Sequence, residues 1–265
     1  MLLRMWDIQL LEPVEEWYLK LAVGDPVAAR LVANALDRLS RAGPQEGHPL
    51  VNDINGSRTH DLKELRPGSS GRARVRLLFV FGPPRQAVIL VAGDTGGQGR
   101  RWYKEYVPIA EDRDLEYLRD QKEGRAVRTR GWREIRAEAE RLDPWSASSE
   151  AEELAEADDA RIEAEAQGYA LAALRQESGL TRAEVAGSMG VGQARVSQIE
   201  HGEVDSLELL RCYISAIGGV LELKVVQGPT SVTLGPAGGG SGRAGGESSR
   251  TEDDEDEHDA DRPRA

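Results

Sequence analysis

The spacing of apolar residues changes several times along the chain, and each change marks an element. Residues 6–11 (WDIQLL) form a short apolar run that predicts a strand. Pro13 then opens a stretch with Val14, Trp17, Tyr18 and Leu21 at helical spacing, with proline in the first turn. Asp25-Pro26 starts a second helix through Ala28, Leu31, Val32, Ala35, Leu36 and Leu39, and the run from Gly43-Pro44 to His48-Pro49 ends it. Three strands follow: residues 60–66 (HDLKELR), 73–81 (ARVRLLFVF) and, after Pro83-Pro84, 86–92 (QAVILVA). They predict an antiparallel meander with its more central strands buried. A glycine-rich loop, residues 93–99, precedes RRWYKEYVPIAEDRDLEYLRDQ, whose later part is helical. The order βααβββα describes a small α+β domain over residues 1–122.

Residues 123–159 are charged, with Trp132 and Trp145 as isolated anchors, and predict a linker with helical pieces that packs on a partner surface. From Arg161 to Ile217 the pattern is helical, with Ala166, Tyr169, Ala170, Ala173 and Leu174 forming one apolar face. A strand at 220–226 (VLELKVV) closes this all-α domain, which spans 160–228. Residues 229–265 turn rich in Gly and Ser and then place eight acids within 252–261, a composition that predicts disorder. Such a tail serves solubility or mimics nucleic acid.

Composition narrows the function classes. With 39% apolar residues and only two Phe, the chain can build modest cores. Its one cysteine, Cys212, excludes a disulfide framework and a cysteine-based zinc site. No apolar run reaches the roughly 18 residues of a membrane span, and the opening MLLRMWDIQLL is too short for a signal peptide. A cytoplasmic protein is expected. The net charge of −12 hides a split: residues 1–145 hold 24 basic and 22 acidic residues, whereas 146–265 hold 10 and 24. Between Arg58 and Lys104 stand ten Lys/Arg against three acids. A basic region in an acidic protein suits nucleic acid, the protein's own acidic half, or simply a solvated surface.

The sharpest local signal is TRAEVAGSMGVGQARVSQIEHG, residues 181–202. Thr181 and Glu184 make a capping box. Ala186 sits where two helices must approach closely, Gly190 supplies a turn with positive φ, and Val196 packs back between the helices. Val185, Met189, Val191 and Ile199 fill the remaining inward positions. This is a helix-turn-helix, and its second helix presents Gln193, Ala194, Arg195, Ser197 and Gln198, with Thr181 nearby, as DNA-contacting candidates. Residues 160–226 carry six basic and nine acidic residues, so one copy neutralises few phosphates. A homodimer through this domain, set on two half-sites of operator DNA, is expected. Residues 161–225 resemble the Cro/repressor-like (XRE) family, and the core is similar to HigA-type antitoxins. Where that family usually has Ser, this chain has Gly192, a weaker N-cap.

In the basic region, Arg74 and Arg76 share one face of their strand. On the preceding strand Lys63 and Leu65 share one face and Glu64 and Arg66 the other, so the basic residues cannot all converge. Arg74, Arg100 and Arg101, interleaved with Trp102 and Tyr106, suit the stacking and phosphate contacts of unpaired RNA. Arginine and lysine can stabilise the dianionic phosphorane of 2′-hydroxyl attack. Of the four histidines only His60 lies near this region, so no acid–base pair is evident, and neither a metal nor another cofactor is expected.

The run LKELRPGSSGRARVRLLFVF, followed by AVILVAGD and WYKEYVPIA, is similar to RelE/HigB-family toxins, especially the phage-protein-like branch. That resemblance covers residues 5–120 and implies a small α+β ribonuclease that cuts mRNA on the ribosome. It places Arg76 as the central-strand arginine, Lys63 and Arg66 in the matching LKELR strand, and Tyr103 and Lys104 in a late basic–aromatic cluster, all as catalytic candidates. RGWREIRAEAERLDP, residues 130–144, resembles the start of a HigA-type antitoxin. The whole then reads as a toxin restrained in cis by its own antitoxin, which autoregulates its operon. The partners implied are operator DNA, the ribosome and mRNA, without a membrane. The alternative is a transcriptional regulator whose toxin-like domain is inactive.

Overall fold

A computed structural model describes residues 5–234 apart from 60, 70 and 72. The chain opens with β1 (Asp7–Leu11), α1 (Glu12–Gly24) and α2 (Pro26–Ala42). Asp25 caps α2 by accepting a hydrogen bond from the Ala28 amide at 3.0 Å, and Pro26 occupies the first turn, where no amide proton is needed. Gly43 ends the helix at φ 58°, and a side chain there would run into the Trp6 indole. Next come β2 (Val51–Asp53), β3 (Lys63–Leu65), β4 (Val75–Gly82) and β5 (Gln86–Asp94), then α3 (Arg100–Lys122). The expected meander is β3-β4-β5; β2 adds a strand on its outer side, and β1 lies parallel to β5.

The sheet has two buried faces. Ile8, Leu10, Leu65, Leu77, Phe79 and Ile89 pack against Val14, Tyr18, Val32, Leu36 and Leu39 of α1 and α2. On the other face Leu78, Val80, Val88 and Leu90 meet Trp102, Ala110 and Tyr117 of α3. Covering both faces is what makes β4 and β5 read as nearly continuous apolar runs.

The segment expected to be a charged linker belongs instead to the folded body. Thr129–Gly131 forms β6, an antiparallel edge strand on β1, so the order among the described residues is β2-β3-β4-β5-β1-β6. Helix α4 (Trp132–Leu142) follows, and its buried Trp132, Ile135 and Ala139 join the α1/α2 core. The Trp132 indole donates to Asp37 at 2.8 Å and meets Tyr18 edge-on at 5.0 Å, and Arg130 bridges Glu15 of α1 and Glu138 of α4. Trp145 is half-buried in the turn before α5 (Ser149–Glu177).

Helix α5 packs on a different face from the one its apolar pattern suggests. Tyr169, Ala170 and Leu174 are exposed, whereas Gly168, Ala172 and Arg175 are buried. A β-carbon on Gly168 would lie 2.4 Å from the Gly202 amide nitrogen, so this crossing excludes a larger residue. The helix-turn-helix follows as α6 (Arg182–Met189) and α7 (Gln193–Ile199), with α8 (Leu207–Ala216) behind it. A separate unit starts at Val220 and contains a hairpin, β7 (Leu223–Gln227) and β8 (Thr230–Leu234). The disorder expected from residue 229 is thus corrected for 230–234, which pair with β7; residues 235–265 lie outside the described residues. No helix among the described residues is long and apolar enough to cross a membrane.

Candidate functional site

Strand alternation sorts the basic residues. Glu64 faces Leu78 across the β3–β4 pair, and Arg76, two residues before Leu78, falls on the same face. Arg66, two residues after Glu64, joins them, and α3 delivers Tyr103 from above. The four side chains meet at Glu64, which is 1% exposed. Its carboxylate accepts from the Tyr103 hydroxyl at 2.5 Å and from Arg66 Nε at 2.6 Å, and Arg76 Nε stands 3.4 Å away. Burial, and then the hydrogen bond to Glu64 and its negative charge, push the Tyr103 phenol above its ordinary value. Arg66 and Arg76 remain part-exposed and, with the exposed Arg74, line a cleft of about 380 Å³. The opposite wall comes from α5: Arg161, Ile162 and Glu165.

Lys63 does not join this group. As strand alternation predicts, it lies on the opposite face of β3, where Asp53 of the neighbouring strand accepts its ammonium at 2.5 Å. Trp102 is corrected: its ring is buried, and its indole lies over Gly93, so it cannot stack on an RNA base. Tyr106, half-buried, stacks on Trp102 with centroids 4.9 Å apart. Arg100, Arg101 and Lys104 are exposed at the start of α3 and make no ion pair among the described residues. His60 lies outside the described residues.

Two carboxylates had no part in the motif reading. Glu64 could have been found, since alternation already put it beside Arg66. Glu111 of α3, also buried, accepts from Ser57 Oγ at 2.8 Å and from the Arg58 backbone and Nε at 2.5 Å each, which ties the loop before β3 to α3. Burial raises the Glu111 pKa, but those hydrogen bonds outweigh it and hold the carboxyl below its usual range.

The acidic half docks beside the cleft. Asn34 of α2 is buried and donates to Asp158 at 3.1 Å and to Asp159 at 2.9 Å; Arg38 pairs with Asp159 at 3.1 Å, and Arg30 Nε donates to the Ala151 carbonyl at 3.0 Å. Ile162, 1% exposed, enters the α1/α2 core.

The helix-turn-helix follows its expected geometry. Thr181 and Glu184 form the capping box, Gly190 is left-handed at φ 67°, and Val185, Ala186, Val196 and Ile199 are buried, with Met189 and Val191 half-buried. Gly192 caps α7 without a side-chain bond. Thr181, Gln193, Ala194 and Gln198 are exposed and Ser197 half-buried; Arg195 pairs with Asp205 at 2.5 Å. Behind α7, buried Glu200 accepts from Arg175 at 2.5 Å, Arg182 at 2.7 Å and the Tyr213 hydroxyl at 2.9 Å.

Two family models match: a phage-derived Gp49-like protein over residues 22–114 and a helix-turn-helix domain over residues 168–218. Among individual proteins of Mycobacterium tuberculosis, toxin HigB2 is 44% identical over 104 residues, 38% of this chain and 52% of HigB2. Toxin HigB3 is 41% identical over 109 residues, 41% of this chain and 90% of HigB3. Antitoxin HigA3 is 38% identical over 111 residues, 40% of this chain and 94% of HigA3. The chain thus spans about half the length of HigB2 but nearly all of HigB3 and HigA3. It belongs to the HigB toxin family through its N-terminal part and to the HigA antitoxin family through its C-terminal part, joined in one polypeptide.

Proposed function

We propose that the N-terminal part is a ribosome-dependent mRNA endoribonuclease held silent in cis by the antitoxin part, whose helix-turn-helix binds operator DNA as a homodimer and autoregulates the operon. The carrying observation is the cleft: the three arginines that would hold an RNA phosphate share it with α5, whose Ile162 is seated in the toxin core. Arg66 and Arg76 would neutralise charge on the phosphorane, Arg74 and the cations at the start of α3 would follow the backbone, and Tyr103 would lie beside the reacting phosphate. The segment that resembles an antitoxin start supplies β6, so strand addition and helix docking together keep the two parts joined. Because the parts share one chain, the local concentration of inhibitor is of millimolar order.

The test is induced expression of the full chain, of an Ile162→Glu variant, and of Ile162→Glu with Arg76→Ala. The full chain should be harmless. Ile162→Glu, which places a carboxylate in an apolar pocket, should arrest growth and produce message ends phased with the reading frame. Arg76→Ala should abolish both effects. Intact message from a folded Ile162→Glu chain would reject the ribonuclease and favour a DNA-binding regulator with an inactive toxin-like domain.

A further inference from the structure

Glu64 is an acid among basic residues expected to handle a phosphate, and two of them, Arg66 and Arg76, converge on it. A buried carboxylate is costly unless it is fully paired. Here each oxygen has a partner: Oε1 takes the Tyr103 hydroxyl and faces Arg76 Nε, and Oε2 takes Arg66 Nε. Arg66 is held through Nε by a hydrogen bond, and Arg76 turns its Nε to the same carboxylate as an ion pair. Arg76 also anchors Nη1 on the Val75 carbonyl at 2.7 Å. The Arg66 fork also lies against Asn52, whose amide oxygen, in the orientation that satisfies both ends of the amide, accepts from Nε and Nη1; a phosphate would compete with Asn52 for Arg66 and would meet Arg76 through Nη2.

We propose that Glu64 is a positioning residue for the cleavage reaction: its buried carboxylate aims Arg66 and Arg76 into the cleft and fixes the Tyr103 hydroxyl with its proton directed inward. This rests on the ribonuclease reading above. The arrangement offsets the mutual repulsion of two cations on one sheet face, which would otherwise splay apart when no RNA is bound. It also assigns Tyr103 a role. A phenol that donates to Glu64 keeps its proton at neutral pH, so its oxygen lone pairs can accept a hydrogen bond from the substrate while it remains neutral. Glu64 itself, at 1% exposure, is covered by the groups it orients and does not meet the substrate.

The test uses the full chain carrying Ile162→Glu as parent, with Glu64→Gln and Glu64→Asp added separately and folding checked by circular dichroism. Tyr103→Phe identifies which phenol titration belongs to Tyr103. Glutamine keeps the shape but loses the charge, so the Tyr103 titration, followed by ultraviolet difference spectroscopy, should move down in pH. Turnover on ribosome-bound message should fall about a hundredfold with KM little changed, as expected for misaimed groups. Aspartate, which keeps the charge on a shorter arm, should restore the titration better than the turnover. A folded Glu64→Gln chain with parental turnover or an unmoved Tyr103 titration would overturn the proposal. The titration is read without RNA, so it separates the two failures. An inert parent sinks the ribonuclease reading and the catalytic role with it, whereas an active parent with an unmoved titration sinks only the positioning role.

Discussion

The docking of α5 on α2 combines a polar cluster with a short apolar row, Ala151, Ala155 and Ile162, of which Ile162 is the largest, and the relative weights can be derived. Ile162→Ala removes side-chain carbons from a site that is 1% exposed and continuous with the α1/α2 core. Large-to-small changes at such sites cost about 2–5 kcal/mol. If that loss falls wholly on docking, the undocked fraction rises about 30-fold to several thousandfold, at roughly 1.4 kcal/mol per tenfold. Asp159→Ala instead removes a carboxylate that is about one-third exposed, breaking its pair with Arg38 and its bond from Asn34, which keeps Asp158 as a partner. An ion pair of that exposure is worth about 0–1 kcal/mol, at most a few-fold. Native-state hydrogen exchange measures both changes on the intact chain. Amides in the first half of α5 should lose protection in Ile162→Ala by one to three powers of ten and barely change in Asp159→Ala, while amides around Val88 in the sheet stay protected in both. Equal effects, or a larger effect from Asp159→Ala, would refute the view that burial rather than charge holds the two parts together.

Three further outcomes concern the helix-turn-helix part. Burial pulls the Glu200 pKa up, but the hydrogen bonds from Arg175, Arg182 and Tyr213 prevail and hold it below the usual carboxylate range. A folded pKa below the unfolded one stabilises above the unfolded value and is lost as pH falls through the folded value. Thermal unfolding of this part should therefore be steady above about pH 5 and weaken in acid; Glu200→Gln should unfold several degrees lower at neutral pH and show a flatter acid limb. Gly168→Ala should cost about 1–3 kcal/mol by overpacking against the 200–202 backbone, read as a lower denaturation midpoint, and a neutral result would contradict the close crossing. Asp205→Asn frees Arg195 and removes an acid beside the exposed face of α7, so operator binding in a gel-shift titration should tighten and Arg195→Ala should weaken it.

Much of the fold was legible because period and burial agree. The strands β3 to β5 and the helices α1 and α2 have apolar positions that point where the packing needs them. What was missed lacks that signature. Strand β6 is three residues, Thr129–Gly131, and its place comes from backbone hydrogen bonds to β1 rather than from apolar side chains. On α5 the tight approach to residues 200–202 selects Gly168, so Leu174 turns to solvent and Tyr169, more than half exposed, stacks on His48, while Ala166 and Ala173 of the expected face are half-buried. Trp102 reads from its neighbours only as an aromatic among arginines, and its burial in the cluster with Leu78, Val88 and Leu90, beside Gly93, comes from strands distant in sequence. In the cleft, alternation separated Lys63 from Arg66 correctly, yet the same rule placed Glu64 beside Arg66 and was not followed to its consequence.

The division between the two parts also differs from the one charge suggested. The acidic balance begins near residue 146, but the structural commitment of the antitoxin-like segment begins at β6. Without residues 129–142, β1 would become a bare sheet edge and the surface that Trp132 covers would open beside Tyr18. Then α5, one helix from Ser149 to Glu177, carries Ile162 into the toxin core and Gly168 into the helix-turn-helix crossing less than two turns later. The same rigid element thus belongs to both parts. Releasing the cleft while keeping the helix-turn-helix intact requires α5 to move as a unit or to break between Ile162 and Gly168. Charge complementarity can steer such an encounter, but shape fixes it, and here the fixing residues are an isoleucine and a strand of three residues rather than the exposed acids that dominate the composition.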